Sequence, residues 1–546
     1  MAFFRREWMG VPQQVAPVDY RPTRGAISTR PVARRAPCHA SAIATHRPNL
    51  RHCRSLPPGT RSRTRMTIPL QPLIRRGVAL ALIAAIGYAG YQLSRLAPIA
   101  TGYAAKALCS GVFVSGRPAA SVIDVDIMAG VHPLLKLVRP SIDAEHHRAH
   151  ATFAGFAARD AEFRPGLGCT LALGPAAAAL PAALPPLPAA PAATAVPASL
   201  AIASEPASGS SAATAPNGVD MRKLHAALDR AFDEPDPARP RRTRAVVVMW
   251  RGHVIAERYA PGFTGDTPLP GWSMTKTVTA VLIGMLVGQH RLSPDTAALL
   301  PEWRGAGDPR AAITLDELLR MTSGLQFNED YDDPLSDVAV MLFTQRDTAR
   351  FASNKPLAAP PGTRWDYSSG TSEIVARVMR VALGGSTDDY LSFPRRALFA
   401  PLGMRSAVFE PDASGTLAAA SFMYASARDW ARFGQFLLQD SVWNGQRLLP
   451  EGWVRYLARA TPQSSRAAFG AHLWVKVPEP FDDRDPHAPA LPADAFHAVG
   501  HEGQFVSVVP SRDLVVVRLG LSRPESAWNH EAFLARVLDA IPASGT

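Results

Sequence analysis

An α+β fold is predicted for residues 218–546: one antiparallel sheet made from the two ends of that region, flanked by helices, with a helical subdomain inserted between them. Three observations predict it. Two β-branched runs, Arg244–Trp250 and His253–Tyr259, are split by Arg251-Gly252, which is a hairpin signature. A second hairpin, Gly503–Pro510 with Asp513–Leu519, turns at Ser511-Arg512 near the far end. The long stretch between them reads mostly as helices and loops. An amphipathic helix over Met221–Phe232 opens the region, and another, from about Glu525 to Ile541, closes it.

The chain ahead of this domain divides by composition. Residues 1–65 are rich in Arg, Pro, Ala and Ser without hydrophobic periodicity, which predicts a disordered basic leader. Met66 is a candidate start, because a complete targeting unit follows it. Residues 66–97 read as a cytoplasmic flank and a transmembrane anchor. Within them Gly77–Leu93 is an uncharged apolar segment between Arg75-Arg76 and Arg95, near the lower length limit for a spanning helix, and Tyr88 and Tyr91 suit an interface. Basic residues are denser before the segment than after it, which places the N-terminus in the cytoplasm and the bulk of the chain outside. The expectation is a single-pass inner-membrane protein with a periplasmic main domain. A cleaved signal peptide is the rival, but no clear small-x-small site follows before Arg95.

Residues 98–174 form a small N-terminal unit with strand-like pieces at Ser121–Asp126 and Ala151–Phe156. Residues 175–217 turn to Ala/Pro/Ser low complexity and read as a linker. His146, His147 and His150 lie close together, but no carboxylate or cysteine partner stands out, and a solvated polar patch is the expectation. Four cysteines are too few for a disulfide scaffold. Cys38 and Cys53 fall in the leader. Cys109 and Cys169 flank the small unit, and either form a disulfide, if that unit is extracytoplasmic, or stay two buried thiols.

The net charge of +12 suggests a nucleic-acid or membrane-surface partner until it is split by region. Residues 1–123 hold 18 Lys/Arg against Glu7 and Asp19, whereas the rest carries 40 basic and 44 acidic side chains. The basic balance therefore belongs to the N-terminal segment. The main domain is slightly acidic, which argues against nucleic-acid binding.

Chemistry concentrates at Gly271-Trp272-Ser273-Met274-Thr275-Lys276. A small-residue turn leads there into an apolar helix, with Ser273 on its first turn and Lys276 three residues on, on the same face. A serine hydroxyl needs a base, and a lysine in a dry pocket can serve because desolvation lowers its pKa. Lys276 is the sole charged residue between Asp266 and Arg291, so a lone charge in so apolar a helix requires a reason.

Two further motifs join it: Tyr367-Ser368-Ser369 within Arg364–Gly370, and His501-Glu502-Gly503 before the strand Gln504–Val509. With Ser273-Met274-Thr275-Lys276 they resemble the serine β-lactamase/penicillin-binding-protein superfamily, nearest its class C-like branch with 6-aminohexanoate-dimer hydrolases, esterases and D-aminopeptidases. Leu315–Gly324 and Phe399–Met404 read in the same manner. The resemblance implies a β-lactamase/transpeptidase-like fold and a serine hydrolase working through an acyl-enzyme. It implies Ser273 as nucleophile, Lys276 and Tyr367 as proton movers, and Ser369 as a partner of Lys276 or of substrate. His501 stands where β-lactamases carry the lysine of Lys-Thr-Gly, with Gly503 easing close approach. The N–H of Gln504, on an edge strand, would complete an oxyanion hole with that of Ser273.

A histidine, mostly neutral at pH 7, weakens the case for a carboxylate-bearing β-lactam and favours a small amide or ester. The acidic loop Glu329–Asp333 reads as solvated, or as a contact for a cationic substrate. A β-lactamase or D-peptidase, or a non-hydrolytic penicillin-recognising sensor, is the alternative function; no metal and no organic cofactor is expected.

Overall fold

The computed structural model describes residues 70–130, 132–187, 218–482 and 490–542. The expected basic leader, Met66 and most of the expected linker lie outside the described residues.

Helix α1 (Leu70–Cys109) begins the described chain. Its apolar stretch is bare, with Ile83 66% and Ile86 70% exposed. It is long and apolar enough to cross a membrane, consistent with a single span or a signal sequence. Further on the helix becomes buried, and Ala104, Ala105, Leu108 and Cys109 pack against an antiparallel meander of β1 (Val138–Asp143), β2 (Arg148–Phe153), β3 (Phe156–Arg164) and β4 (Gly168–Leu171). A disulfide joins Cys109 to Cys169. Ser121–Asp126, expected as a strand, is helical instead: a wide turn over Val122–Met128 buries Val122 and Ile127 together and turns Asp126 to Arg117 and Arg244. Tertiary packing has overridden the β-branched preference of that run.

This small unit is packed onto the main domain. Lys106 forms a buried ion pair with Glu410, which also accepts from Ser110 Oγ at 2.9 Å and from the Cys169 N–H at 2.7 Å. The first part of the expected linker is also held down, since Ala177, Leu180 and Leu184 are buried and Arg395 donates to the Pro185 carbonyl. His146 and His150 do have carboxylate partners, Asp143 at 2.8 Å at the β1–β2 turn and Asp160 at 2.7 Å across β2 and β3.

The main domain starts with α2 (Met221–Phe232), capped by Asp220, whose side chain accepts from the Lys223 N–H. The hairpin β5 (Thr243–Trp250) and β6 (His253–Tyr259) follows. Next come α3 (Met274–Gly288), α4 (Ser369–Leu383) and α5 (Ala427–Leu438) among shorter helices and loops. Strands β7 (Phe496–Gly500), β8 (Gln504–Val509) and β9 (Leu514–Gly520) complete one sheet in the order β7-β8-β9-β5-β6, every pair antiparallel. The closing helix α6 starts at His530 rather than Glu525, because Asn529 caps it by accepting from the Ala532 N–H.

Both faces of the sheet are covered, which explains why β5 reads as a continuous apolar run. Val246 and Val248 join the layer formed with α2 and α6, whereas Val247 and Met249 point into the larger core that holds α3 and α5. The edge toward the inserted helices is β7, which sequence reasoning passed over. Gln504 therefore lies on an interior strand, and the expectation that it begins the edge strand is corrected.

Candidate active site

The nucleophile's position follows from backbone contacts. Gly271 donates to the Met423 carbonyl at 2.8 Å, and Trp272, with φ +46°, turns the chain sharply into α3. A left-handed tryptophan is strained and persists only where its surroundings over-determine it. Here its indole N–H donates to Glu502 at 3.2 Å and its ring meets His501 edge-on, with centroids 5.5 Å apart. Ser273 occupies the N-cap position of α3, but its hydroxyl does not cap the helix and is left for other partners. One of those is Lys276.

Lys276 is 2% exposed, and its Nζ donates to Ser273 Oγ at 2.9 Å, Ser369 Oγ at 3.1 Å and the Ala420 carbonyl at 3.0 Å. Burial pulls its pKa down to about 8, against the opposing pull of Glu329 and Glu373. Glu373 steadies the third contact, since it accepts from the Ala420 N–H at 2.9 Å and from Thr348 Oγ1 at 2.8 Å. Burial pushes the Glu373 carboxyl up to about 8.

Tyr367 precedes α4 and is fixed by aromatic neighbours, with its ring 5.7 Å from Trp474 and 5.8 Å from Phe469. Its hydroxyl lies beside Ser273, and the Lys276 nitrogen lies 5.1 Å from its ring centroid. Burial raises the Tyr367 pKa well above that of an ordinary phenol, despite the Ser273 contact. The two groups beside Ser273 are thus driven apart: the lysine toward a free base, the tyrosine toward a protonated acid.

Ser369, on the first turn of α4, connects this pair to Glu329. Its Oγ donates to Glu329 Oε1 at 2.5 Å and its N–H to Oε2 at 2.8 Å, while Tyr331 donates to Oε1 at 3.0 Å. Glu329 is therefore tied to the site rather than loose in a solvated loop. Burial raises its pKa even though Lys276 opposes that rise.

His501 closes the opposite wall. Its Nδ1 is 2.6 Å from Glu525 Oε1, and the Tyr331 ring stacks on it at 4.9 Å. Burial works against protonation, but Glu525 and Glu502 outweigh it and the His501 pKa is raised. A carboxylate partner, invisible in the motif, thus favours the imidazolium more than the motif alone suggests.

Ser273, Tyr331, Tyr367, His501 and Glu525 face an open cleft. Tyr331, Tyr367, Trp474 and Phe481 supply apolar walls, Glu479, Glu525 and His501 supply charge, and Ser273 opens into it. The hairpin contributes Val499, Gly500 and His501 to the lining, whereas Gly503 and Gln504 are not among the lining residues. The Gly503 carbonyl accepts from Arg518 at 2.7 Å, and Gln504 is 1% exposed with its amide clasping Gly520 and the His501 carbonyl. The structure therefore brings together Ser273, Lys276, Tyr367, Ser369 and His501, while Gly503 and Gln504 lie outside the cleft lining.

A protein-family model described as Beta-lactamase matches residues 228–536, more than half of the chain. The chain belongs to the beta-lactamase family. The 6-aminohexanoate-dimer hydrolase of Paenarthrobacter ureafaciens is 26% identical over 302 residues, which cover 53% of this chain and 74% of that protein. Penicillin-binding protein 4 of Amycolatopsis lactamdurans is 29% identical over 168 residues, 30% of this chain and 40% of that protein. Among solved structures, a penicillin binding protein from Bacillus halodurans superposes with a TM-score of 0.44 at 16% identity, over 58% of this chain and 99% of that one.

For a beta-lactamase-family serine hydrolase, three participants here escaped sequence reasoning. Glu525 stands far from any motif, and Glu373 follows the Tyr367-Ser368-Ser369 motif by one helical turn without being part of it. Glu329 looked like one carboxylate among several in a polar loop. The available signal for Glu373 was a single acid on the apolar side of a helix, which calls for a partner just as Lys276 does.

Proposed function

We propose that this chain is a membrane-anchored serine hydrolase that cleaves a small amide or ester through an acyl-enzyme, with its catalytic domain outside the cytoplasm. The observation that carries the reading is the buried Lys276 amine at 2.9 Å from Ser273 Oγ, its pKa drawn down to about 8. Neutral Lys276 takes the Ser273 proton as Oγ attacks the carbonyl carbon. The Ser273 N–H, at the N-cap of α3, is the donor this reading assigns to the oxyanion. Tyr367, held as a phenol, passes a proton to the departing amine or alkoxide and is reprotonated by Lys276. Water then attacks the acyl-enzyme carbonyl as Lys276 takes its proton, and the intermediate collapses with Ser273 Oγ leaving and taking that proton back.

Support for amide or ester chemistry comes from the lining, whose one basic side chain, His501, is already paired with Glu525, so an anionic substrate finds no spare counter-charge there. The 26% identity to a 6-aminohexanoate-dimer hydrolase points the same way. The exposed apolar part of α1 and the Cys109–Cys169 disulfide both support an extracytoplasmic, membrane-held domain.

The test uses the full-length protein in detergent, treated with a fluorophosphonate probe and read by intact mass beside Ser273→Ala. One adduct confined to the wild type supports the reading and justifies assay of esters and amides. Nitrocefin turnover exceeding that of every ester and amide would transfer the assignment to a β-lactamase. No adduct on a folded protein would leave a non-hydrolytic sensor.

A further inference from the structure

Arg523 links the small N-terminal unit to the active site. Arg523 bonds its Nε to Glu502 Oε1 at 2.5 Å, and its other nitrogens reach into the N-terminal unit: the Asp126 carbonyl at 2.8 Å, the Ala129 carbonyl at 3.0 Å and Tyr103 Oη at 3.2 Å. Tyr103 in turn donates to the Asp126 carbonyl at 2.9 Å, and the Asp126 carboxylate holds Arg117 and Arg244. Glu502, on the inner side, accepts from the Trp272 indole, the residue immediately before the nucleophile. Its own N–H is held by Glu525 at 2.6 Å, the same carboxylate that pairs with His501.

Two residues of this network have left-handed backbones, Trp272 at φ +46° and Glu502 at φ +63°. Neither is a glycine, so each requires continuous restraint from outside itself. Glu502 is 3% exposed and Arg523 is its guanidinium partner. Without that partner a buried carboxylate would face Glu525 across His501, and the turn would have to open or take up a proton.

We propose that the disulfide-linked N-terminal unit is a working part of the active site, and that it acts by clamping Arg523 so that Glu502 holds Trp272 and the His501–Glu525 pair in register with Ser273. Arg523 and Tyr103 are positioning residues in this scheme; neither reaches the cleft lining. The proposal rests on the hydrolase reading only for its effect on Ser273, and gives residues 98–174 a function that the catalytic motifs leave unexplained.

Two variants of the full-length chain test it: Tyr103→Phe, which removes one hydroxyl from the N-terminal unit, and Arg523→Gln, which removes the clamp. Two readouts are taken well below each variant's melting temperature. The first is the rate of fluorophosphonate adduct formation at Ser273. The second is the pH profile of diethyl pyrocarbonate labelling at His501, read by peptide mass spectrometry, which requires no turnover. His501 is faced by Glu525, Glu502 and Arg523, with Tyr331 stacked on it and Trp272 at its edge, so the labelling profile reports on the whole cluster.

Arg523→Gln is expected to slow adduct formation roughly tenfold or more, the usual cost of a misplaced reacting group. Its His501 profile is expected to shift to higher pH, since the nearby cation is gone. Tyr103→Phe is expected to move both readouts in the same directions by less, and it carries the test alone if Arg523→Gln fails to fold. Folded variants with wild-type adduct rate and wild-type His501 profile would overturn the proposal, whatever their melting temperatures. A shifted His501 profile in a protein whose wild type forms no adduct would uphold the positioning and overturn the hydrolase reading.

Discussion

Gly500 meets Gly271 backbone against backbone: a Cβ added to Gly500 would lie 2.1 Å from the Gly271 carbonyl oxygen. This contact sets the distance between the edge strand β7 and the turn that delivers Ser273, and it leaves no room for any side chain. Gly500→Ala is expected to push the two segments apart, at about 1–3 kcal/mol of stability by analogy with overpacked cores. The rate of Ser273 labelling should fall more than the melting temperature suggests, because the displaced segment carries the nucleophile. Wild-type labelling by Gly500→Ala would show that the cleft tolerates a looser wall.

The Lys276 pKa of about 8 makes the pH dependence specific. Acylation needs the neutral amine, so the rate should rise with pH and level off above about 8, where the free base is fully formed. Glu329 raises the Lys276 pKa by its charge, so Glu329→Gln should shift that rising limb to lower pH. A limb that stays in place, or moves upward, would mean that another group titrates in the rate. The measurement is the pH profile of adduct formation for both proteins.

Tyr367 carries a different prediction, because its raised pKa keeps it a proton donor at neutral pH. Tyr367→Phe should cost roughly 10²–10⁴ in kcat on an amide, the usual range for a lost general acid. A nitrophenyl ester, whose leaving group needs no proton, should lose far less. Equal losses on both substrates would assign Tyr367 to orientation of Ser273 rather than to proton delivery.

How much of this was legible in the chain depends on whether the signal was local. The β5–β6 hairpin and the Ser273–Lys276 pair are each written within a few residues, and both appear in the structure where the pattern put them. The partner of His501 was not legible, because Glu525 comes from a separate turn that only the fold brings to it. Gln504 was placed on an edge because β7 reads weakly on its own: Phe496–Gly500 contains His497 and ends in glycine. His497 is tolerated there because it is neutral and bonded to Ser507 Oγ at 2.8 Å, a pairing that exists only across the β7–β8 ladder. The helical turn at Val122–Met128 was misread for a similar reason, since the partners of Asp126, Arg117 and Arg244, lie outside it.

The Cys109–Cys169 bond closes a separation of 60 residues in the small unit. Cross-linking a loop of that length restricts the unfolded chain and is worth about 2–4 kcal/mol. Reduction, or the double variant Cys109→Ser with Cys169→Ser, should therefore lower the melting temperature. The loss should not stay confined to the small unit, because Cys169 donates its N–H to Glu410, and Glu410 anchors Lys106 against the main domain. Thermal unfolding followed by two signals, tryptophan emission from the main domain and protease cleavage mapped within residues 98–174, separates the possibilities. Coincident loss of both signals at a lowered temperature is the expected result, as for one cooperative body. Early cleavage in the small unit, with tryptophan emission unmoved, would show that the two parts melt independently.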